Sequence, residues 1–268
     1  MRNILALTLL VFTVLSCEQK RVVNDDPVLV PLDNNQSAEN NNLYAGEALE
    51  YVKQIETTPI ENLEVKESLR FEKEGGFVEK ATAYYINETL VKVQENYKDG
   101  HDGNGGVKVF YFNGPDELIA VLHNYEDWSD PEIVVYTEKR TYFENGKAVE
   151  TQLRLSDYYE DLENTAFEVV RNESYDTEVV LNLVNETGRF KPHFGGVIKT
   201  GEGQVYLVLG EPNVDVGYFS AVMVNDKDDF VDDLLKNEDK YMNQALHVDF
   251  YVTTGQVKTQ IYQSGRWY

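Results

Sequence analysis

Four histidines, one cysteine and a large surplus of carboxylates are the side chains with chemical potential in this sequence. His101, His123, His193 and His247 each lack a second His or Cys within five positions, so no transition-metal ligand spacing is present. His247 alternates with Asp249 and Tyr251, a pattern that predicts a solvated strand face. His193 falls in a loop-like run, Lys191 to Gly196. No Gly-x-Ser-x-Gly elbow occurs, so nucleophilic catalysis has no local support. Paired carboxylates cut glycosidic bonds, but with 47 Asp and Glu in the chain their spacing carries almost no information. Asp99, Asp102 and Asn104 offer oxygen to calcium, yet an EF-hand loop begun at Asp102 puts Asn113 where the bidentate Glu belongs. The run Asp99 to Gly106 reads instead as a hairpin loop. Asp226, Asp228, Asp229, Asp232 and Asp233 read as the acidic start of a helix. No glycine-rich phosphate loop follows a strand. The expectation is a non-enzymatic protein that needs no metal and no cofactor.

Charge narrows the partners. Lys and Arg total 24 against 47 acids, a net charge of −23. A polyanion is repelled by such a field, so nucleic acid is excluded as a partner. From Arg189 onward there are eight basic and eleven acidic residues, so even the most balanced stretch has no basic track. A single cysteine excludes an internal disulfide framework.

The first seventeen residues set the location. Arg2 precedes an apolar run from Ile4 to Leu15 in which only Thr8 and Thr13 are polar. That run is too short to span a bilayer, which takes roughly 20 apolar residues, and it fits a signal-peptide core. It ends at Val14-Leu15-Ser16-Cys17. This tetrapeptide resembles the lipobox of bacterial lipoproteins, apart from Leu15, which is bulkier than the family's usual small residue. The resemblance implies cleavage before Cys17 and acylation of that residue, with palmitate-like chains on its sulfur side and its new amino group. One acyl chain binds membranes only reversibly, and two or three anchor durably. Glu18 stands where lipoproteins kept in the inner membrane often carry Asp. An outer-membrane destination, at its periplasmic face or the cell surface, is the corresponding expectation. The lipid bilayer is thus the first expected partner.

Residues 17–42 show no period. Six asparagines with Pro27 and Pro31 describe a spacer that cannot bury enough apolar surface to order itself. Tyr44 to Ile55 has helical spacing, with Ala45, Leu49 and Val52 on one stripe and Ala48, Tyr51 and Ile55 beside it. From Leu63 the period changes to two. Strands are predicted at 77–86, 90–97, 107–112, 117–124, 133–143 and 148–155, joined by short Gly, Asn, Asp or Pro turns. Short turns favour an antiparallel meander. Ser156 to Arg171 is predicted to be a helix, and Glu178 to Asn185 a second.

Three segments of the meander look alike: Tyr84-Tyr85-Ile86-Asn87, Phe110-Tyr111-Phe112-Asn113 and Thr141-Tyr142-Phe143-Glu144-Asn145. Each is an aromatic strand, a polar tight turn and an apolar return. They resemble the aromatic hairpin repeats of some bacterial surface proteins, and they predict hairpins with aromatics in register.

A boundary is placed near Gly188. Beyond it come three strands (196–200, 205–209 and 218–224), a helix that Asn225 or Asp226 can cap, and two strands (246–252 and 257–261). That order is similar to the OB-fold, a five-stranded barrel. The resemblance implies a ligand surface on strands two and three, with Tyr206, Tyr218 and Phe219 as its candidates. The expected class is α+β, mostly β. The expected domains are 43–188, helices with a meander, and 189–268, OB-like. The expected function is that of an envelope lipoprotein binding a protein or glycan. The alternatives are a carboxylate-dependent carbohydrate hydrolase and a purely structural envelope component.

Overall fold

The computed structural model describes residues 43–73, 75–100, 104–114, 117–130, 132–211, 217–254 and 258–268. The signal peptide (1–16), Cys17, the rest of the spacer to residue 42, His101 and Asp102 lie outside the described residues. The chain is mostly β with a few helices, as its alternating patterns require. No helix among the described residues is long and apolar enough to cross a membrane.

Helix α1 (Leu43–Glu56) is followed by a 3-10 turn and two short strands, β1 (Glu64–Glu67) and β2 (Phe71–Lys73). Then come β3 (Phe77–Ile86), β4 (Thr89–Lys98), β5 (Gly105–Phe112), β6 (Leu118–Asp130), β7 (Ile133–Glu144) and β8 (Lys147–Ser156). Each pairs antiparallel with the next.

The three aromatic segments occupy equivalent places. Register shifts fall between Tyr84 and Tyr85, between Tyr111 and Phe112, and between Tyr142 and Phe143, each beside a hairpin turn. The second aromatic of each pair packs into one apolar core with Phe110, Val121 and helix α3 (Thr177–Asn185). The first packs on the opposite face, where Ala48, Val52 and Ile55 of α1 cover Val107, Val109 and Ala120. Strand alternation thus sends adjacent rings to both layers, while the extra residue of each bulge, Val91, Ile119 or Val149, lies on the return strand. Leu49, which the spacing placed on the α1 stripe, is exposed.

Two expectations need correction. The predicted helix over Ser156–Arg171 is one turn, α2 (Tyr159–Leu162), followed by strand β9 (Glu168–Val170) on the edge of β8. Only Leu162 of α2 is buried, too small an apolar face to hold a longer helix. The β-branched Val169 and Val170 suit the sheet edge better. The predicted last strand near 257–261 is instead β14 (Gln260–Trp267).

After a 3-10 turn at Gly188–Phe190 come β10 (His193–Lys199), β11 (Val205–Gly210) and β12 (Tyr218–Val224). Helices α4 (Asp229–Lys236) and α5 (Glu238–Tyr241) precede β13 (Leu246–Val252) and β14. The side chain of Asp228 accepts from Val231 N–H at 2.9 Å and caps α4. β10, β11 and β12 pair antiparallel. β12 meets β14 in parallel at Met223 and Ile261, and β14 pairs antiparallel with β13. Ala245, just before β13, bridges back to His193 at the start of β10.

β12 also joins this part to the meander. Its first two residues pair with β2, Tyr218 with Lys73 and Phe219 with Glu72. Beneath that seam Phe71, Phe190 and Tyr218 pack with their rings tilted, at centroid separations of 5.3 and 4.9 Å. The strands on both sides of Gly188 therefore share one hydrogen-bonded sheet and one apolar core.

Candidate functional site

Strand alternation sorts the three aromatic candidates. On β11, Leu207 and Leu209 are fully buried, whereas Tyr206 and Val208 face outward. On β12, Val222 and Val224 point inward, whereas Phe219, Ala221 and Met223 face outward. Register then aligns Ile198 with Tyr206 and Met223, and Val208 with Ala221. The result is an outward face of six apolar side chains on three adjacent strands, with Ile198 36% and Ala221 also openly exposed. Phe219 lies opposite Gly210, where a Cβ would come within 2.8 Å of the Phe219 Cα. Glycine there lets the ring sit close over the strand. Tyr206 donates its hydroxyl to Gln204 Oε1 at 3.3 Å, leaving its ring on the apolar face.

Tyr218 does not belong to that surface. It is 6% exposed, stacked on Phe190, and covered by the Arg189 guanidinium at 4.8 Å. Being next to Phe219, it must point to the other side of the strand. Burial pushes its phenol up, and the neighbouring Glu79 carboxylate adds to the shift.

A second cluster was not legible as a site in the sequence. Register lines up Glu95, Lys108, His123 and Lys139 across four strands. The adjacent row holds Glu79, Tyr97, Gly106, Tyr125 and Thr137. Lys108 pairs with Glu95 at 3.1 Å and Lys139 with Glu173 at 2.7 Å. The Tyr97 hydroxyl lies 2.8 Å from His123 Nε2. Lys108 sits over the Tyr97 ring at 4.6 Å, and Tyr125 lies 4.6 Å from the His123 ring. Burial, then Lys108 and Lys139, hold His123 down to about 3, so it is neutral across the physiological range. Gly106 makes room for these rings, since a Cβ there would fall 2.8 Å from the Tyr97 hydroxyl and 2.6 Å from the Asn124 carbonyl oxygen.

Glu79 is the strained member of this row. It is 5% exposed, and its Oε2 has no hydrogen-bond partner. Burial and the nearby Glu95 raise it to about 7, against the pull of Arg189 and Lys108. Glu79 and Glu95 are diagonal neighbours across β3 and β4. Two neighbouring carboxylates are the minimum that glycosidic hydrolysis requires. Both are buried, however, Glu95 at 3%, so neither presents an oxygen to a saccharide in solution.

His247 lies with Asp249 and Tyr251 on the outward row of β13, as its spacing predicted, opposite the buried Leu246 and Val248. Its Nδ1 lies 3.0 Å from Glu186 Oε2 and its Nε2 3.0 Å from Asp249 Oδ1. Glu186, 5% exposed and left-handed at φ 53°, ends α3 and ties it to β13. The carboxylates occupy both ring nitrogens, so the imidazole has no free edge for a substrate. His193 is held locally by the Lys191 carbonyl at 2.9 Å. No group of three His, Cys, Asp or Glu arranged to hold a metal ion occurs among the described residues.

No family model, no curated protein and no solved structure matches this chain.

Proposed function

We propose that this protein is a lipid-tethered component of the bacterial envelope that binds a partner, a protein or a glycan, without chemistry. The observation that carries the reading is the outward apolar face of β10, β11 and β12, centred on Tyr206 and Phe219. An aligned apolar face of this kind marks a recognition surface more often than a bare fold requires. The ring of strands β10, β11, β12, β14 and β13, with its parallel β12–β14 step, supports an OB-fold-like reading of 189–268. Domains of that kind bind on strands two and three, which here are β11 and β12. Cys17 supplies the anchor, and the asparagine-rich spacer to residue 42 supplies reach.

The test pairs two variants in the producing bacterium. Cys17→Ser should lose incorporation of labelled palmitate. A Tyr206→Ala/Phe219→Ala double variant should keep the label and lose whatever the wild type captures from detergent-solubilised envelopes. Palmitate uptake by Cys17→Ser, or undiminished capture by the double variant, would overturn the respective half of the reading.

A further inference from the structure

Two adjacent glycines open β5, and packing accounts for only one of them. Gly106 has no room for a side chain. At Gly105 a Cβ would stand 3.3 Å from the Tyr97 carbonyl oxygen and 3.7 Å from Lys98 Cα and Cγ, so a slight adjustment of the strand would admit it. Its backbone is not left-handed either. A strand glycine that neither a turn nor its neighbours demand is the mark of close approach from outside.

Val107 and Val109 lie under α1, and alternation puts Gly105 on that same outer face. Register sets it between Lys98 of β4 and Glu126 of β6. The missing side chain leaves a notch in that row, with the Lys98 stem on one wall. Trp128 stands on the other. Its indole N–H donates to Glu126 Oε2 at 3.1 Å, which holds the ring on the outer face. Its backbone N–H donates to Asn104 Oδ1 at 2.7 Å, which ties the ring to the residue just before the notch. Trp267 is packed against Phe230 and Tyr241 at 5.2 and 4.7 Å, whereas no ring or cation among the described residues lies on Trp128. The next row sets Asn96 and Asn124 on either side of Val107, and the Asn124 side-chain oxygen has no hydrogen-bond partner.

These groups select among occupants. Strands β4 to β7 are paired along both edges, so no free backbone edge is offered to an extended peptide. Glu126, Asp127 and Asp130 flank Trp128 in a chain of net charge −23, so an anion is repelled. A pyranose brings an apolar C–H face to the indole and neutral hydroxyls to amides that both donate and accept. We propose that the notch at Gly105 is a binding site for a neutral saccharide, with Trp128 as its platform and Asn96, Asn124 and Glu126 as its hydrogen-bonding rim. The site is separate from the β10–β12 face and is tested independently of it.

The chain has two tryptophans, so Trp267→Phe leaves Trp128 as the only indole reporter. The full chain in that form, kept in a detergent without a sugar headgroup, is titrated with cellotetraose, maltotetraose and chitotetraose. Tetragalacturonate and tetra-alanine serve as the acidic and peptide controls. Trp128 emission should change saturably with at least one neutral oligosaccharide and with neither control. Calorimetry with the responding sugar should show binding weakened about tenfold or more by Trp128→Ala and by Gly105→Val. The Tyr206→Ala/Phe219→Ala variant should bind it as wild type does. Should Gly105→Val not fold, the contrast between Trp128→Tyr, which keeps a ring and should bind, and Trp128→Ala carries the test. No response to any neutral oligosaccharide, a response to either control, or binding undiminished in Trp128→Ala overturns the proposal.

Discussion

Tyr218 and Phe219 are consecutive residues on β12 that serve opposite faces, Tyr218 the core beneath Phe190 and Phe219 the outward surface over Gly210. Their truncations should therefore separate. Tyr218→Ala removes a buried ring from the stack at the seam and is expected to cost about 3–5 kcal/mol. Phe219→Ala is expected to cost about 1 kcal/mol, its ring being half-buried, and to weaken partner capture instead. Urea denaturation of the two variants beside a capture assay measures both effects.

Gly106 lies between Tyr97 and Tyr125 in the cross-strand row. A Cβ added there would fall 2.6 Å from the Asn124 carbonyl oxygen and 2.8 Å from the Tyr97 hydroxyl. Gly106→Ala should lower stability by about 1–3 kcal/mol through forced displacement of packed groups. The Tyr97 and His123 ring signals should shift in the NMR spectrum, whereas those of Trp267, packed on Phe230 and Tyr241, should not. A Gly106→Ala variant as stable as wild type contradicts this account of the polar row.

Glu138 is buried between Arg140 and Arg154, at 2.7 and 2.5 Å, and the Phe167 ring lies against both guanidinium groups at 4.2 and 4.6 Å. Glu138→Gln leaves two partly buried cations without their shared anion. It should destabilise by about 3 kcal/mol or more. The loss should depend little on salt, because the pair is shielded from solvent ions. A loss that vanishes in concentrated salt would place these groups at the surface instead.

His123 makes stability depend on pH in a defined direction. Its folded value is held near 3, below that of the unfolded chain at about 6.5. Its contribution is complete above 6.5 and fades as pH falls toward 3. Glu79 acts oppositely, since its folded value near 7 favours folding as pH falls. His123→Asn should remove part of the acid lability between pH 6.5 and 4, on top of a pH-independent loss from the Tyr97 and Tyr125 contacts it gives up. Denaturation curves at four pH values decide this.

Much of the architecture was legible because period and turn chemistry agree locally. Asn87 and Asn145, both at positive φ, sit at hairpin tips where polar turn residues predicted them. The aromatic pairs announced three equivalent hairpins, although their bulges follow from which ring faces which core, a tertiary matter. The region after Ser156 misled because Tyr159, Leu162, Ala166 and Val169 share a helical stripe while only Leu162 finds a core. Among the candidate ligand residues, alternation placed Tyr206 and Phe219, but the identity of the inner face on β12 was set by Phe71 and Phe190 from distant segments. The row from Glu79 to Lys139 was invisible in one dimension. Its members come from five strands and meet only through register.

The most direct test of an anchored recognition face is photocrosslinking in the producing cell. A photoreactive phenylalanine is placed at Phe219, facing outward, or at Val222, which is fully buried three residues later. The account predicts a discrete adduct from position 219 that disappears in the Cys17→Ser background, and none from position 222. No adduct from position 219, or the same adduct from both positions, would contradict it.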